Sequence, residues 1–104
     1  MVEVVKSATF DRWLRRLKDR RAAARVLIRV NRLAAGNAGD AKPVGHGVCE
    51  LRIDYGPGYR VYYLSEGNRL ILLLTGGDKS SQETDIRTAH QIAAAWRTQE
   101  GADR

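Results

Sequence analysis

Three cations stand in a stretch otherwise built for strands. Arg52 and Arg60 flank a Gly-Pro-Gly turn in Leu51 to Tyr63 (LRIDYGPGYRVYY), and Lys79 follows Gly76-Gly77-Asp78. An arginine offers a planar fork of donors that matches a phosphate or carboxylate, and a lysine adds a compact charge. Tyr62 and Asp54 fall among them and could supply a hydroxyl and a carboxylate. Together these residue types suit the binding of an anion. The plainer alternative is an Arg60–Asp54 ion pair beside ordinary surface charge.

The stretch from Glu50 to Lys79 must position them. Its three apolar-rich runs are separated by two glycine turns, which predicts an antiparallel meander. Pro57-Gly58 suits the middle of a type II turn, and Gly67-Asn68 between Glu66 and Arg69 suits a two-residue hairpin. Placing Tyr55 opposite Tyr59 sets Arg52 across from Tyr62 and Asp54 across from Arg60. Placing Glu66 opposite Arg69 sets Arg60 across from Thr75 and Tyr62 across from Leu73. Alternation then predicts one buried face with Cys49, Leu51, Ile53, Tyr59, Val61, Tyr63, Leu70, Leu72 and Leu74. The other face carries Leu64, Ile71 and Leu73 at one end. Arg52, Asp54, Arg60, Tyr62 and Thr75 lie at its other end, with Lys79 on the loop beyond.

The remaining chain reads as packing for this sheet. Val2 to Lys6 is β-branched and predicts a short strand at an edge of the meander. Thr9 is the expected N-cap of a helix with Phe10, Trp13, Leu14 and Leu17 at helical spacing. A second helix follows Lys18-Asp19-Arg20-Arg21, with Ala22, Val26, Val30 and Leu33 inward and Arg25, Arg29 and Arg32 outward. Gly36 ends it, and residues 36–47 read as a loop. Gly76 to Gln82 leads into a last helix over about Glu83 to Thr98, whose stripe of Ile86, Ala89, Ala93 and Trp96 is expected to cover Leu64, Ile71 and Leu73. A start at Asp78, Ser80 or Ser81 is compatible with capping. The fold class is α+β, in the order β-α-α-β-β-β-α, with the helical hairpin on one sheet face and the last helix on the other.

The length, 104 residues, fits one domain spanning 1–104. The formal charge is +6, and nine of the eighteen Lys and Arg residues lie between Arg12 and Arg32 against one acid, Asp19. Such a block suggests a polyanionic partner or an acidic protein. A single cysteine, Cys49, excludes an intramolecular disulfide and falls on the apolar face. Two histidines and one cysteine at unrelated spacings make no metal-ligand set, and no cofactor motif is present. His46 between glycines invites a catalytic reading but has no partner in sequence. No apolar run reaches the length of a membrane span and no charged-then-apolar leader opens the chain, so a soluble, cytoplasmic protein is expected.

These pieces, in this order, resemble the RelE/ParE toxin superfamily, and more narrowly its HigB-like branch of addiction module killer proteins. The resemblance runs from Phe10 through Ala93 and rests on LRIDYGPGYRVYY, on LLLTGGDKSSQETDI (Leu72 to Ile86) and on the Phe-Asp-x-Trp-Leu opening. It implies the toxin of a type II toxin–antitoxin module, a ribosome-dependent mRNA endonuclease that inhibits translation. It further implies that Arg60 meets the phosphate, with Lys79 and Arg52 beside it. The basic residues Arg12, Arg15, Arg16, Arg20, Arg21, Arg25 and Arg29 would bind ribosomal RNA. The implied partners are the ribosome, mRNA and an antitoxin from the same operon, of helix-turn-helix type. The tyrosine or histidine that studied relatives carry near the chain end is replaced here by Gln82, Glu83 and Asp85. Tyr62 is then a candidate to stack on a base or donate a proton, and Asp85 or His46 a candidate base. Because some superfamily members poison DNA gyrase without any ribonuclease activity, gyrase inhibition is the alternative function.

Overall fold

Helix formation begins where a short polar side chain can satisfy the free amides of a first turn. The computed structural model, which describes residues 2–102 with side chains through Gln99, places Ser7 in that position. Its Oγ accepts from the Phe10 amide at 3.0 Å and donates to the Leu74 carbonyl at 2.6 Å. The first helix, α1 (Ala8–Arg16), therefore starts two residues earlier than a Thr9 cap would allow, and its cap also ties it to the sheet. Asp19 caps α2 (Arg20–Ala34) by accepting from the Arg21 and Ala22 amides. As the spacing predicts, Ala22, Val26, Val30 and Leu33 are buried, and Gly36 closes the helix by donating to the Leu33 carbonyl.

The sheet has five strands: β1 (Glu3–Lys6), β2 (Ala41–Gly45), β3 (Val48–Ile53), β4 (Tyr59–Glu66) and β5 (Leu70–Gly77). Their spatial order is β1-β5-β4-β3-β2. The N-terminal strand does join an edge of the meander, pairing parallel with β5, while all other pairs are antiparallel. β2 corrects the expectation that residues 36–47 form only a loop. It hides in the sequence because Ala-Lys-Pro-Val-Gly shows no apolar alternation. Pro43 is tolerated there because β2 is an edge strand, where a missing N–H costs no interior ladder bond.

The meander is present, but its register differs at both turns. At the first, the Gly58 amide donates to the Tyr55 carbonyl, so the turn centres on Gly56-Pro57 instead of Pro57-Gly58. Gly56 takes φ 56°, a region that its lack of a Cβ makes accessible. The shift sets Arg52 opposite Arg60 and Glu50 opposite Tyr62. After the second turn, Glu66 pairs with Leu70, and an irregularity between Tyr62 and Tyr63 leaves Leu74 as an extra residue of β5. A one-residue slip exchanges the faces of a strand. Ile71 and Leu73 accordingly pack with the helical hairpin, while Leu72 and Leu74 face the other way, the reverse of the expected assignment.

Two cores result, one on each sheet face. Phe10, Leu14, Ala23, Val26, Val30 and Leu33 cover Leu51, Ile53, Val61 and Tyr63 together with Ile71 and Leu73. A 3-10 turn (Lys79–Ser81), capped by Asp78, leads into α3 (Gln82–Ala102), longer than the expected helix at its C-terminal end. Its Ala89 and Ala93, flanked by Ile86, Ile92 and Trp96, cover Val48, Tyr62, Leu64, Leu72 and Leu74. The α+β class thus holds, with helices on both faces of a five-stranded sheet, and β2 departs from the expected β-α-α-β-β-β-α order. Among the described residues, no helix is long and apolar enough to cross a membrane.

Candidate functional site

β3 and β4 bring Arg52 and Arg60 directly opposite each other. Like charges in that relation repel, and a sheet tolerates them only when something compensates. The compensating group is Glu50, two residues before Arg52, whose side chain has no solvent exposure. Its Oε1 accepts from Arg52 Nε at 3.2 Å and lies 3.5 Å from Arg60 Nε. Its Oε2 accepts from the Tyr62 hydroxyl at 3.1 Å and from Gln82 Nε2 at 2.9 Å. A carboxylate can be buried only if its charge is paired and its lone pairs are engaged, and here both conditions are met. Burial by itself pushes the Glu50 pKa up. The donors Gln82, Tyr62 and Arg52 and the charge of Arg60 outweigh that and hold it below the ordinary value.

This has a consequence for acid stability. A carboxyl whose folded pKa is depressed contributes stability that is present above its unfolded pKa, about 4.3 for glutamate, and is lost as pH falls through the folded value. Protonated Glu50 would also leave Arg52 and Arg60 facing each other uncompensated. Urea unfolding at pH 6, 4 and 3 should show stability falling below about pH 4, and the fall should be shallower in a Glu50→Gln protein. An identical fall in both proteins would remove Glu50 as the cause.

The two arginines differ in freedom. The Arg60 side chain is 13% exposed and its Nη1 donates to the Gly58 carbonyl at 3.1 Å, whereas Arg52 is 38% exposed. Both border a cavity of about 230 Å³, together with Asp40, Ile53, Asp54, Gly58, Tyr59 and the exposed Lys79. Arg60, Arg52 and Lys79 are therefore brought together, as the sequence predicts. The Arg60–Asp54 ion pair is not formed, because Arg60 turns to Glu50.

Tyr62 is near the same cluster but does not reach its surface. The residue is fully buried and its hydroxyl is held by Glu50, so its ring offers no face to a nucleic-acid base. Burial first, and then the charge of Glu50, pushes its pKa well above the usual phenol range. Asp85 lies behind β5 and does not line the cavity. Its Oδ2 accepts from Ser81 Oγ at 2.5 Å, and a Cβ built on Gly77 would stand 1.8 Å from it. That contact explains the glycine opposite Arg60. Burial and then the charge of Asp78 raise the Asp85 pKa, with the Ser81 hydroxyl opposing. His46 occupies the β2–β3 turn at the far end of β3. Its ring lies 4.6 Å from that of His90, and its carbonyl accepts from Arg97 Nη1 at 2.8 Å.

The seven arginines predicted to bind nucleic acid divide by position. Arg25 and Arg29 of α2, with Arg32 and the half-exposed Ile28, line a groove of about 480 Å³. It shares Asp40, Arg52, Ile53 and Asp54 with the smaller cavity. Arg25 lies over the Tyr55 ring at 4.8 Å, and Arg29 Nη2 donates to the Ala38 and Asp40 carbonyls. Arg12, Arg15, Arg16, Arg20 and Arg21 are exposed but line neither cavity. Arg15 pairs with Asp11 at 2.9 Å, and Arg20 Nη1 donates to the Leu17 carbonyl.

Glu50 is the group at this site that sequence reasoning missed, and Gln82, noted there only as a departure from studied relatives, is its partner. The available signal was a glutamate inside an apolar strand, spaced by two from an arginine on the same face. Comparison with known proteins adds two findings. The family model described as Phage derived protein Gp49-like matches residues 12–97. A Haemophilus influenzae protein, itself uncharacterized, is 48% identical over 92 residues, covering 88% of this chain and 93% of the relative.

Proposed function

Because the chain belongs to the phage-derived Gp49-like family, a toxin-like family of toxin–antitoxin modules, we propose that it is the toxin of such a module and cleaves mRNA on the ribosome. The observation that carries this reading is the Arg52–Arg60 pair facing an open cavity with Lys79 on its wall. A phosphodiester attacked by the neighbouring 2′-hydroxyl gains negative charge in the transition state, and preorganised cations stabilise it. The 2′ oxygen bonds to phosphorus as the bond to the 5′ oxygen breaks, giving a 2′,3′-cyclic phosphate and a free 5′-hydroxyl. One group must take the 2′ proton and another must protonate the leaving oxygen. Asp40 and Asp54 are the carboxylates on the cavity wall available for the first task, and Lys79 is the cation available for the second. The adjoining groove with Arg25 and Arg32 gives the flanking strand a cationic track, with the salt sensitivity that phosphate contacts bring.

The implied partners are the ribosome with its mRNA and a small helix-turn-helix antitoxin that covers the cationic cleft. Brief induction of the chain should arrest growth, and co-expression with the product of the adjacent gene should relieve it. Primer extension after induction should show cuts inside translated codons. Harmless expression of folded protein would refute the toxin reading. Growth arrest with intact mRNA and induced DNA damage would transfer the target to DNA gyrase.

A further inference from the structure

The arrangement around the buried carboxylate reaches more of the site than an ion pair would. Glu50 touches Arg52 and Arg60 from below, and through Gln82 it holds the start of α3, which carries the 3-10 turn bearing Lys79. Cations from three separate elements are thus referred to one fixed point. Its burial fixes that point further, since the Tyr62 ring that donates to it is itself immobile in the core. Arg60 is oriented by one hydrogen bond and one ion pair: Nη1 donates to Gly58, while the buried Nε lies 3.5 Å from Glu50 Oε1 without a hydrogen bond. Among the described residues its Nη2 has no hydrogen-bond partner, so this end remains free for a ligand.

We propose that Glu50 is the positioning residue of this site, a buried carboxylate that holds Arg52 and Arg60 directly and Lys79 through Gln82 in one geometry for a phosphate group. The proposal rests on the reading of the cavity as a phosphate site. Glu50 itself is not a base, because it has no exposure and both its oxygens are occupied. Its charge also cuts against anion binding if only net charge matters. That opposition makes the role testable: removing the carboxylate should strengthen phosphate binding electrostatically but weaken it if geometry dominates.

The test is a titration of the whole protein with inorganic phosphate at low salt, followed by NMR of the arginine Nε–H signals. In the wild type, two such signals should stand apart from the exposed arginines and shift with phosphate. In Glu50→Gln, these two should collapse toward the exposed position, and phosphate affinity should fall by on the order of 10- to 100-fold, the range seen when outer partners that orient metal ligands are removed. Glu50→Asp keeps the charge but withdraws it by one methylene, and should fall between. If Glu50→Gln does not fold, Glu50→Asp decides: native fold with weaker binding supports the role, and wild-type affinity overturns it. Unchanged or tighter phosphate binding by a folded Glu50→Gln protein overturns it directly. No response of the wild-type signals to phosphate overturns the cavity reading and this role together. A Glu50-dependent phosphate site in a protein that leaves translated mRNA intact would keep this role and remove only the nuclease.

Discussion

If the chain cleaves mRNA as proposed, Arg60→Ala will lower the rate of cleavage by on the order of 100-fold or more, the size of loss produced by deleting one donor to a developing oxyanion. Ribosome binding should survive, because the exposed arginines of α1 and α2 remain. The structure changes what must be controlled. Arg60 is not an exposed partner of Asp54 but a nearly buried partner of Glu50. Its removal leaves that carboxylate with Arg52, Tyr62 and Gln82, so a stability loss of about 1–3 kcal/mol is expected. Cleavage must therefore be compared well below the melting temperature of the variant. Arg60→Lys keeps a charge but not the fork, and should recover only part of the rate. Full cleavage by folded Arg60→Ala would remove Arg60 from the chemistry.

How much of this was legible in the sequence depends on which physical signal was asked to speak. The helices were legible because their apolar residues repeat at helical spacing, and Val26 and Ala93 are buried as that spacing requires. The meander was legible from its glycine turns. Its register was not, because Gly56, Pro57 and Gly58 allow two neighbouring turn centres, and each centre pairs different residues. The displacement moves Glu50 from the level of Leu64 to that of Tyr62, so the carboxylate at the middle of the site went unnoticed. On β5, five consecutive apolar residues from Leu70 to Leu74 look alike from either face. Nothing in that run marks Leu74 as the extra residue. The three cations were found despite these errors, since a register shift of two residues preserves the face of a side chain. The basic block gave the sign of the surface without its geometry: Arg25 and Arg29 share the groove beside the cavity, whereas Arg12, Arg15 and Arg16 stand apart from it.

The largest effect on the fold is expected at Val61, for a reason independent of any function. Val61 is fully buried between β3 and β5, on the face covered by Phe10 and Val26. A Val61→Asp carboxylate there would have no donor nearby comparable to those around Glu50. Fully buried acids have pKa values raised by about 3–5 units, and each unit corresponds to about 1.36 kcal/mol. At pH 7, about three units above the unfolded value, the carboxyl takes up a proton on folding, so the substitution should cost about 4 kcal/mol before any loss of packing. That approaches the whole stability of a small domain, roughly 5–15 kcal/mol, so the variant should be largely unfolded by circular dichroism. The pH dependence identifies the cause. Because the folded pKa is raised, the penalty shrinks as pH falls from about 7 toward the unfolded value near 3.9. Structure should return in part between about pH 5 and 4, above the range in which Glu50 protonates. A Val61→Asn protein buries a polar group that does not titrate and should show no such recovery. Cooperative melting of Val61→Asp at pH 7 near the wild-type temperature would mean that Val61 does not face the helical hairpin.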